Sequence, residues 1–374
     1  MDNFEQFIVK SRYCKWIPEL NRREEWSETV GRFMVYMMER FNLLSNHKEM
    51  KYIWNAIQNR EIFPSMRALM TAGPAADVDD VCMYNCSYVA VNEIRSFSDI
   101  MYILCCGTGV GFSCESENTD QLPTIPEEIV RDMDQTIVIP DSRVGWADSF
   151  KELLTLLYEG THPTWDTSEI RPAGTRLKTF GGRASGPEPL ERLFRYVIKT
   201  FMNARGRKLT SLEVHDIVCL TGEIVIAGAV RRSALISLSD LHDSDMAKAK
   251  SGPWWEISGH RSLANNSAVY DKKPSLSEFM GEWSTMYESR SGERGICNRQ
   301  SLSLLAERSG RDTEGIRFGT NPCSEIILRN KQFCNLTEVV VRPDDTMENL
   351  RKKVEAATIL GTFQATLTLS LIHI

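Results

Sequence analysis

The chain has 374 residues, of which 42% are hydrophobic and 25% are charged, a composition typical of one large globular domain or about two ordinary ones. Its formal net charge of -6 excludes a nonspecific coat for nucleic acid, which needs concentrated positive charge. The N-terminus lacks the apolar core of a signal peptide, and no apolar run approaches the roughly 18–20 residues of a membrane span, so we expect a cytoplasmic protein that binds neither membrane nor nucleic acid directly.

Residues 1–80 are predicted to form an N-terminal helical segment. Apolar residues recur at helical spacing over 24–44, and a second helix is predicted over 48–60. Proline and glycine interrupt this pattern over 63–76, which predicts the end of the segment.

Residues 81–374 show short strands that alternate with helices, which predicts an α/β domain with parallel strands. The predicted strands cover 85–91, 136–142, 233–240 and 335–341. The predicted helices cover 96–106, 144–160, 189–205, 211–230, 275–290 and 346–367.

The chain contains ten cysteines, many for the cytosol but few for a disulfide-stabilised scaffold of this length. Most are expected to be buried small hydrophobic residues. One alternative is a zinc site formed by four cysteines that lie close in sequence, Cys82, Cys86, Cys105 and Cys106. Their spacing differs from the usual pairs of a zinc knuckle, so no metal site is predicted there.

A second possible metal cluster is His215 with Asp216 and Glu223, which share one predicted helix. Charged and polar residues scattered along a helix most often form its solvated face. We therefore interpret these three residues as part of an exposed helix face, and no metal is predicted in the chain.

The segment TNPCSEIILRNKQFCNLTEVVV (320–341) holds two cysteines in different settings. Cys323 follows Pro322, which fixes a backbone torsion, and Glu325 lies two residues further on. A nearby carboxylate raises the pKa of a thiol, which suits a neutral sulfur radical with a carboxylate that moves protons rather than a thiolate nucleophile. The spacing alone also fits a buried cysteine in a turn before a strand.

Cys86 and Cys334 each lie at a predicted strand. If those strands were neighbours, the two sulfurs would be able to form a cycling disulfide. The alternative is two unrelated core thiols, and the sequence spacing leaves both interpretations open.

Two glycine-rich segments are candidates for ligand contact. GTGVGF (107–112) lacks the P-loop lysine and does not follow a strand as a dinucleotide fingerprint would, so it indicates either close backbone approach or a tight turn. KTFGGRASGPEPL (178–190) indicates a ligand-contacting loop with one cation, Arg183, or a solvated surface loop.

Taken together, these segments resemble the monomeric, adenosylcobalamin-dependent (class II) ribonucleoside-triphosphate reductases. The resemblance runs from near the start of the chain to about Thr368. It rests on ordered matches in WIPELNRREEWSETV (16–30), YNCSYVAV (84–91), GTGVGFS (107–113), IVIPDSRVGWADSF (137–150), FGGRASGPEPL (180–190), GAVRRSALISLSD (228–240), RSLANNSAVY (261–270) and NPCSEIILRNKQFCNLTEVVV (321–341).

The resemblance implies a role for each residue of the candidate site. Cys323 matches the cysteine that becomes a thiyl radical and takes the 3′-hydrogen of the ribose. Glu325 matches the base for the 3′-hydroxyl, and Asn321 is implied to hydrogen-bond the ribose hydroxyls. Cys86 and Cys334 match the pair that delivers two electrons and ends as a disulfide.

The resemblance also implies a fold, a ten-stranded α/β barrel made of two five-stranded parallel halves with the radical-bearing loop through its centre. This chain would supply the first half-barrel and that loop. The implied cofactor is adenosylcobalamin, with its cobalt, and the implied substrate is a ribonucleoside triphosphate. A thioredoxin-like external dithiol would restore the disulfide, and the complete protein is expected to be a monomer.

Regulation by a dNTP effector is implied as well. The loop at 180–187 matches the one that links the effector to the base being reduced, and its predicted contact residues are Gly181, Gly182, Arg183 and Ser185. An effector-binding insertion is expected near 114–180.

Two departures from the family bear on activity. Family members are about twice this length, and the last residues, LSLIHI (369–374), do not fit the family pattern. We hypothesise a truncated or frame-shifted chain, that is, an incomplete barrel with an exposed apolar face and no activity of its own. Other interpretations are a class I ribonucleoside-diphosphate reductase large subunit, although Pro322 before Cys323 favours the cobalamin branch, and an inactive nucleotide-binding remnant.

Overall fold

The computed structural model of the protein describes residues 3–43, 48–177, 183–227 and 234–368. The segment 369–374 and the predicted loop residues Gly181 and Gly182 therefore lie outside the described residues. The α-helices are, in chain order, α1 (Asn3–Arg12), α2 (Trp26–Arg40), α3 (Lys48–Gln58), α4 (Met66–Thr71), α5 (Ile94–Cys105), α6 (Ser116–Thr119), α7 (Arg143–Tyr158), α8 (Glu188–Asn203), α9 (Ser211–Ala227), α10 (Ser244–Lys248), α11 (Trp254–Ile257), α12 (Leu276–Ser289), α13 (Arg299–Arg308) and α14 (Met347–Ala365).

The strands are β1 (Trp16–Ile17), β2 (Arg22–Arg23), β3 (Ile62–Phe63), β4 (Cys86–Ala90), β5 (Gly109–Ser113), β6 (Val130–Val138), β7 (Thr161–Asp166), β8 (Leu235–Asp240), β9 (Ala264–Tyr270), β10 (Gly295–Asn298), β11 (Gly319–Thr320), β12 (Ile327–Leu328), β13 (Gln332–Cys334) and β14 (Glu338–Val339). Short 3₁₀-helices cover Pro18–Leu20, Asp80–Met83 and Gly259–Leu263.

The chain forms two compact units. The terminal unit comprises Met1–Asn85 and Cys334–His373, and the sheet unit comprises Cys86–Phe333. The predicted boundary near residue 80 remains a prediction.

The terminal unit is built on packed helices. The backbone N–H of Glu25 donates to the side chain of Glu28 at 2.7 Å, which satisfies a donor at the start of α2. Helix α14 packs against α3 and against the antiparallel pair β3–β14. The buried face of α2 has helical spacing and includes Val30, Phe33, Met34 and Met37.

The sheet unit contains a six-stranded sheet in the spatial order β10-β9-β8-β5-β4-β13. Neighbouring strands from β10 to β4 are all parallel. Strand β13, whose last residue belongs to the terminal unit, runs the other way. Lys331 N–H donates to the Tyr88 carbonyl at 2.8 Å and Asn85 N–H donates to the Cys334 carbonyl at 3.0 Å, so the residue numbers run in opposite directions. The predicted α/β class is confirmed, and the sheet is mixed.

The two faces of the sheet are covered by different elements. All five residues of β5 are buried, as expected for a central strand with both faces covered. Phe112 contacts the ring of His215 in α9, with ring centroids 6.0 Å apart. Gly109 and Gly111, which point to the other face because side chains alternate along a strand, contact residues 320–322. The segment that holds Cys323 therefore crosses the face opposite to α9.

A smaller parallel pair, β6–β7, lies within the sheet unit beside α7. Its register shifts between Arg131 and Thr136, and most residues of β6 are exposed. The prediction of a strand at 136–142 captured only the C-terminal end of β6.

The predicted strand over 335–341 is wrong as a single element. Strand β13 ends at Cys334, and β14 begins only at Glu338. The reason is a set of tertiary contacts: the N–H of Leu336 donates to the Asn85 side chain, and its carbonyl accepts from Gln364. Both backbone groups of Leu336 therefore bond to side chains and not to a neighbouring strand.

Candidate active site

A β-hairpin, residues 319–328, presents Cys323 at its tip, and we call it the cysteine hairpin. Its limbs β11 and β12 are antiparallel. Asn321 closes the tip, because its side-chain oxygen accepts from Ile326 N–H at 3.0 Å and its carbonyl accepts from Ser324 N–H at 2.9 Å. Cys323 and Glu325 are exposed on this closed turn, as the proline turn in the sequence suggested.

Two glycines bring the cysteine hairpin against the sheet. A Cβ at Gly319 would lie 2.1 Å from the ring of Tyr88, and a Cβ at Gly111 would lie 1.9 Å from the carbonyl oxygen of Thr320. No side chain fits at either place. Gly107, with φ of +80°, ends the turn after α5. The GTGVG motif thus makes both a turn and a close backbone approach, and the approach is to the hairpin.

The thiol of Cys86 lies next to the hairpin tip. A Cβ at Gly109 would be 3.3 Å from the Cys86 sulfur and 3.1 Å from Cγ of Pro322. The two groups therefore flank the same point on β5, and Pro322 immediately precedes Cys323.

The surroundings of Cys323 keep its thiol protonated. Partial burial raises its pKa, and the neighbouring Glu325 carboxylate and Cys86 raise it further. A raised pKa disfavours a thiolate nucleophile at neutral pH. This direction of the pKa is the one expected for a neutral sulfur beside a carboxylate, and the role of Cys323 remains a prediction.

A buried ion cluster anchors the start of the cysteine hairpin. The guanidinium of Arg299 donates to both oxygens of Glu115 at 2.6 Å, and its Nε donates to the carbonyl of Phe318 at 3.0 Å. The hydroxyl of Ser113 also donates to Glu115 at 2.7 Å. Burial raises the pKa of the Glu115 carboxyl, but the bonds and charge of Arg299 outweigh burial and hold that pKa below its usual value.

Arg311 connects the two limbs of the hairpin. Its guanidinium carbon lies 5.0 Å from the centroid of the Phe318 ring, and its Nη1 donates to the carbonyl of Ile327 at 2.7 Å. Together with Arg299 it fixes both chain segments that enter the hairpin.

Glu115, Arg299 and Arg311 are site residues that were not predicted from the sequence. A signal for the first two was present, because Glu115 follows β5 after one intervening residue and Arg299 follows β10 directly. Residues just beyond the carboxyl ends of parallel strands meet at one edge of the sheet.

Comparisons with known proteins agree with this arrangement. A family model described as "B12-dependent ribonucleotide reductase, insertion domain" matches residues 117–201. The adenosylcobalamin-dependent ribonucleoside-triphosphate reductase of Lactobacillus leichmannii is 30% identical over 404 residues, which cover 88% of this chain and 53% of that protein. The reductase of the same name from Lactobacillus helveticus (strain DPC 4571) is 29% identical over 409 residues, with the same coverage.

A solved crystal structure of a B12-dependent (class II) ribonucleotide reductase is similar to this chain with a TM-score of 0.81 and 25% identity, covering 96% of this chain and 58% of that one. The chain belongs to the adenosylcobalamin-dependent (class II) ribonucleotide reductase family. It spans about half the length of the curated relatives it matches. Within the described ranges, no helix of this class II chain is long and apolar enough to span a membrane.

The side-chain amide nitrogen of Asn321 is an unpaired hydrogen-bond donor within the described residues. Its side-chain nitrogen is buried and has no hydrogen-bond partner among the described residues, whereas its oxygen is used within the turn. Buried polar groups are nearly always paired, so this donor is suited to a ligand acceptor. Asn321 lies two residues before Cys323 in the sequence.

Arg183 and Ser185 lie more than a hundred positions before the cysteine hairpin in the sequence. Their described hydrogen bonds are to residues 174–186 and not to the hairpin. Arg183 pairs with Arg176 through the backbone and donates from Nη1 to the Gly174 carbonyl at 2.8 Å. The hydroxyl of Ser185 donates to the carbonyl of Gly186 at 3.1 Å. The structure does not bring these two residues together with Cys323, and their effector role remains a prediction.

The interpretation of His215 and Asp216 as part of an exposed helix face is wrong. His215 is fully buried, and its Nε2 lies 2.9 Å from the side-chain oxygen of Asn266. Asp216 accepts two hydrogen bonds from Arg261, at 2.6 and 2.7 Å. Internal partners thus satisfy both side chains, and no group of three or more possible metal ligands occurs among the described residues.

Proposed function

We propose that the complete protein reduces ribonucleoside triphosphates to 2′-deoxyribonucleotides for DNA synthesis by a thiyl-radical mechanism. The observation that carries this proposal is the tip of the cysteine hairpin, where Cys323 and Glu325 are exposed together and the Cys86 sulfur lies beside Pro322. Relatives named adenosylcobalamin-dependent ribonucleoside-triphosphate reductases support the choice of substrate and cofactor.

Adenosylcobalamin, when bound, supplies an organic radical by homolysis of its cobalt–carbon bond. The described residue that fits this chemistry is Cys323. Its raised pKa keeps the hydrogen on sulfur at neutral pH, so the thiol is able to lose a hydrogen atom rather than a proton. Its exposure leaves the sulfur open to a radical donor.

The proposed reaction uses four side chains in sequence. The Cys323 thiyl takes hydrogen from C3′ of the ribose, and Glu325 accepts the proton of the 3′-hydroxyl as the 2′-hydroxyl leaves as water. Cys86 and Cys334 supply two electrons and become a disulfide, and Cys323 returns its hydrogen to C3′. In sum, the 2′ C–O bond breaks, a 2′ C–H bond and one water form, and two thiols are oxidised.

Asn321 would orient the ribose during these steps. Its unpaired side-chain N–H is a suitable donor to a ribose hydroxyl, and the turn bond from Ile326 N–H fixes the amide plane. A thioredoxin-like external dithiol would then reduce the disulfide for the next turnover.

We also propose that a dNTP effector controls which base is reduced. The predicted effector region at 114–180 overlaps the insertion-domain match at 117–201. The effector would act through Gly181, Gly182, Arg183 and Ser185, and the complete enzyme would work as a monomer.

The 374-residue chain alone is proposed to be inactive. The edge strand β10 and the adjacent helix α12 expose apolar side chains to a degree unusual for a finished surface, with Ile296 60% exposed, Trp283 51% and Tyr287 78%. A half-barrel with such a face would be poorly soluble. Measurable turnover by this chain without any further polypeptide would refute the proposal.

The proposal is tested by product analysis. The complete protein, incubated with adenosylcobalamin, a ribonucleoside triphosphate and a dithiol, should form the 2′-deoxyribonucleotide. Cys323→Ala should abolish the product. Cys86→Ser should permit at most a trace, because the dithiol that reduces the substrate is lost. Wild-type-like product formation by Cys323→Ala would refute the assigned chemistry.

A further inference from the structure

Cys334 is the last residue of strand β13, and side chains rather than a strand hold the two residues that follow it, Asn335 and Leu336. The Cys334 carbonyl accepts from the backbone N–H of Asn85 at 3.0 Å. The side-chain oxygen of Asn85 accepts from Leu336 N–H at 3.2 Å. Asn85 is therefore hydrogen-bonded to the residues on both sides of Asn335. It is also the residue immediately before Cys86 in the sequence.

Gln364 in α14 adds further hydrogen bonds to the same segment. Its side-chain nitrogen donates to the side-chain oxygen of Asn335 at 3.1 Å and to the carbonyl of Leu336 at 3.3 Å. Its side-chain oxygen accepts from the backbone N–H of Ser65 at 2.9 Å. Gln364 is 1% exposed, so these bonds form without competition from water.

Ser65 joins the two amides into one network. Its hydroxyl donates to the side-chain oxygen of Asn85 at 2.7 Å, and its N–H is the donor to Gln364. The same hydroxyl accepts from the backbone at the start of α4. All of these residues belong to the terminal unit, and the Ser65 hydroxyl also lies 3.2 Å from the carbonyl oxygen of Met83.

We propose that Gln364 and Asn85 are positioning residues that hold Cys334 for disulfide formation with Cys86 and thereby set the reduction potential of that pair. This inference rests on the proposed function, which assigns the pair its redox role. A disulfide tolerates little geometric deviation, so a backbone held in place favours its formation, and a backbone released from its bonds disfavours it. Loss of the network should make the disulfide easier to reduce.

The test is a redox titration of the full chain in buffers of reduced and oxidised dithiothreitol. The Cys86–Cys334 disulfide is quantified by differential alkylation and peptide mass spectrometry. We expect Gln364→Leu to lower the equilibrium constant for disulfide formation about tenfold, which corresponds to about 30 mV toward a more oxidising potential. Gln364→Glu should have a similar effect, because it keeps the acceptor for Ser65 but loses the donor to Asn335 and Leu336.

The matched control is Leu360→Ala, which removes a buried side chain of the same helix that is not part of the network. It should lower the melting temperature and leave the potential unchanged. An equal shift of potential in Leu360→Ala, or no shift in either Gln364 variant, would overturn the inference while leaving the proposed function intact. Failure of the wild-type chain to form a Cys86–Cys334 disulfide at any poise would overturn the redox pair itself, and this inference with it.

Discussion

Arg299 and Glu115 form a buried bidentate ion pair, with two N–O distances of 2.6 Å, directly behind the residue that starts the cysteine hairpin. The Nε of Arg299 donates to the carbonyl of Phe318, so the pair also fixes the backbone before Gly319. Buried ion pairs add little net stability compared with apolar side chains, but breaking one leaves an uncompensated charge. We therefore infer that this pair serves to place the hairpin.

Removing Arg299 alone should be costly, because Glu115 would remain buried with only the Ser113 hydroxyl and the longer contact to Arg317 as partners. We expect Arg299→Met to lower the free energy of unfolding by about 3–5 kcal/mol in urea titrations. The double variant Arg299→Met with Glu115→Leu should lose less than the single variant. A double variant that is less stable than Arg299→Met would contradict this view of the pair.

The Glu115 carboxyl should make stability depend on acid pH. Its pKa in the folded protein is lowered, so the pair contributes stability above the unfolded pKa of about 4.3, and this contribution is lost as the pH falls through the lower folded value. Urea titrations between about pH 3 and 6 should show a smaller acid-induced loss for Glu115→Gln than for wild type. If the free energy of unfolding fell equally steeply with decreasing pH in the two proteins, other carboxylates would be responsible for the acid-induced loss of stability.

Gly319 and Gly111 should be intolerant of alanine. A Cβ at Gly319 would overlap the ring of Tyr88, and one at Gly111 would overlap the carbonyl of Thr320. Each variant should shift the hairpin and change the rate at which a thiol reagent modifies Cys323, by severalfold or more. Gly281→Ala is the control, because no atom lies within 4 Å of its Cβ position in α12, and it should leave that rate unchanged while slightly stabilising the helix.

Glu325 should slow alkylation of Cys323 at neutral pH. Its negative charge adds to burial in raising the pKa of the thiol, so Glu325→Gln should lower that pKa and speed the reaction with iodoacetamide at pH 7. Cys323 alone among the ten cysteines is exposed, which makes the pH–rate profile readable by peptide mass spectrometry. An unchanged profile would mean that the carboxylate does not face the sulfur.

Local signals in the sequence predicted several helices and two strands of the large sheet, β4 and β8, but gave no prediction of β5 or β9. The apolar spacing of α7 and α8 and the short buried runs of β4 and β8 lie within a few residues of their predicted bounds. The segment 335–341 failed because side chains from Asn85 and Gln364, far away in sequence, take the backbone bonds that a strand would use. No local pattern reports on such partners.

In the candidate site, too, local features were predicted from the sequence and contacts between distant residues were not. The turn around Cys323 was readable from Pro322 and the nearby carboxylate, and the family resemblance supplied the roles. The residues that anchor the hairpin could not be predicted from local sequence, because the Glu115–Arg299 ion pair joins residues 184 positions apart. His215 and Asp216 were misread for a related reason, since a buried charge with distant partners looks like a surface charge in sequence.

Cys323 is the residue proposed to carry the radical. The most direct measurement is stopped-flow absorbance of the complete protein mixed with adenosylcobalamin, a ribonucleoside triphosphate, dNTP effector and dithiol. We expect rapid homolysis of the cofactor in wild type and none in Cys323→Ser, with Cys86→Ser close to wild type in this step. Unchanged homolysis in Cys323→Ser, or none in the wild-type protein, would contradict it, and the second result would favour a class I radical source.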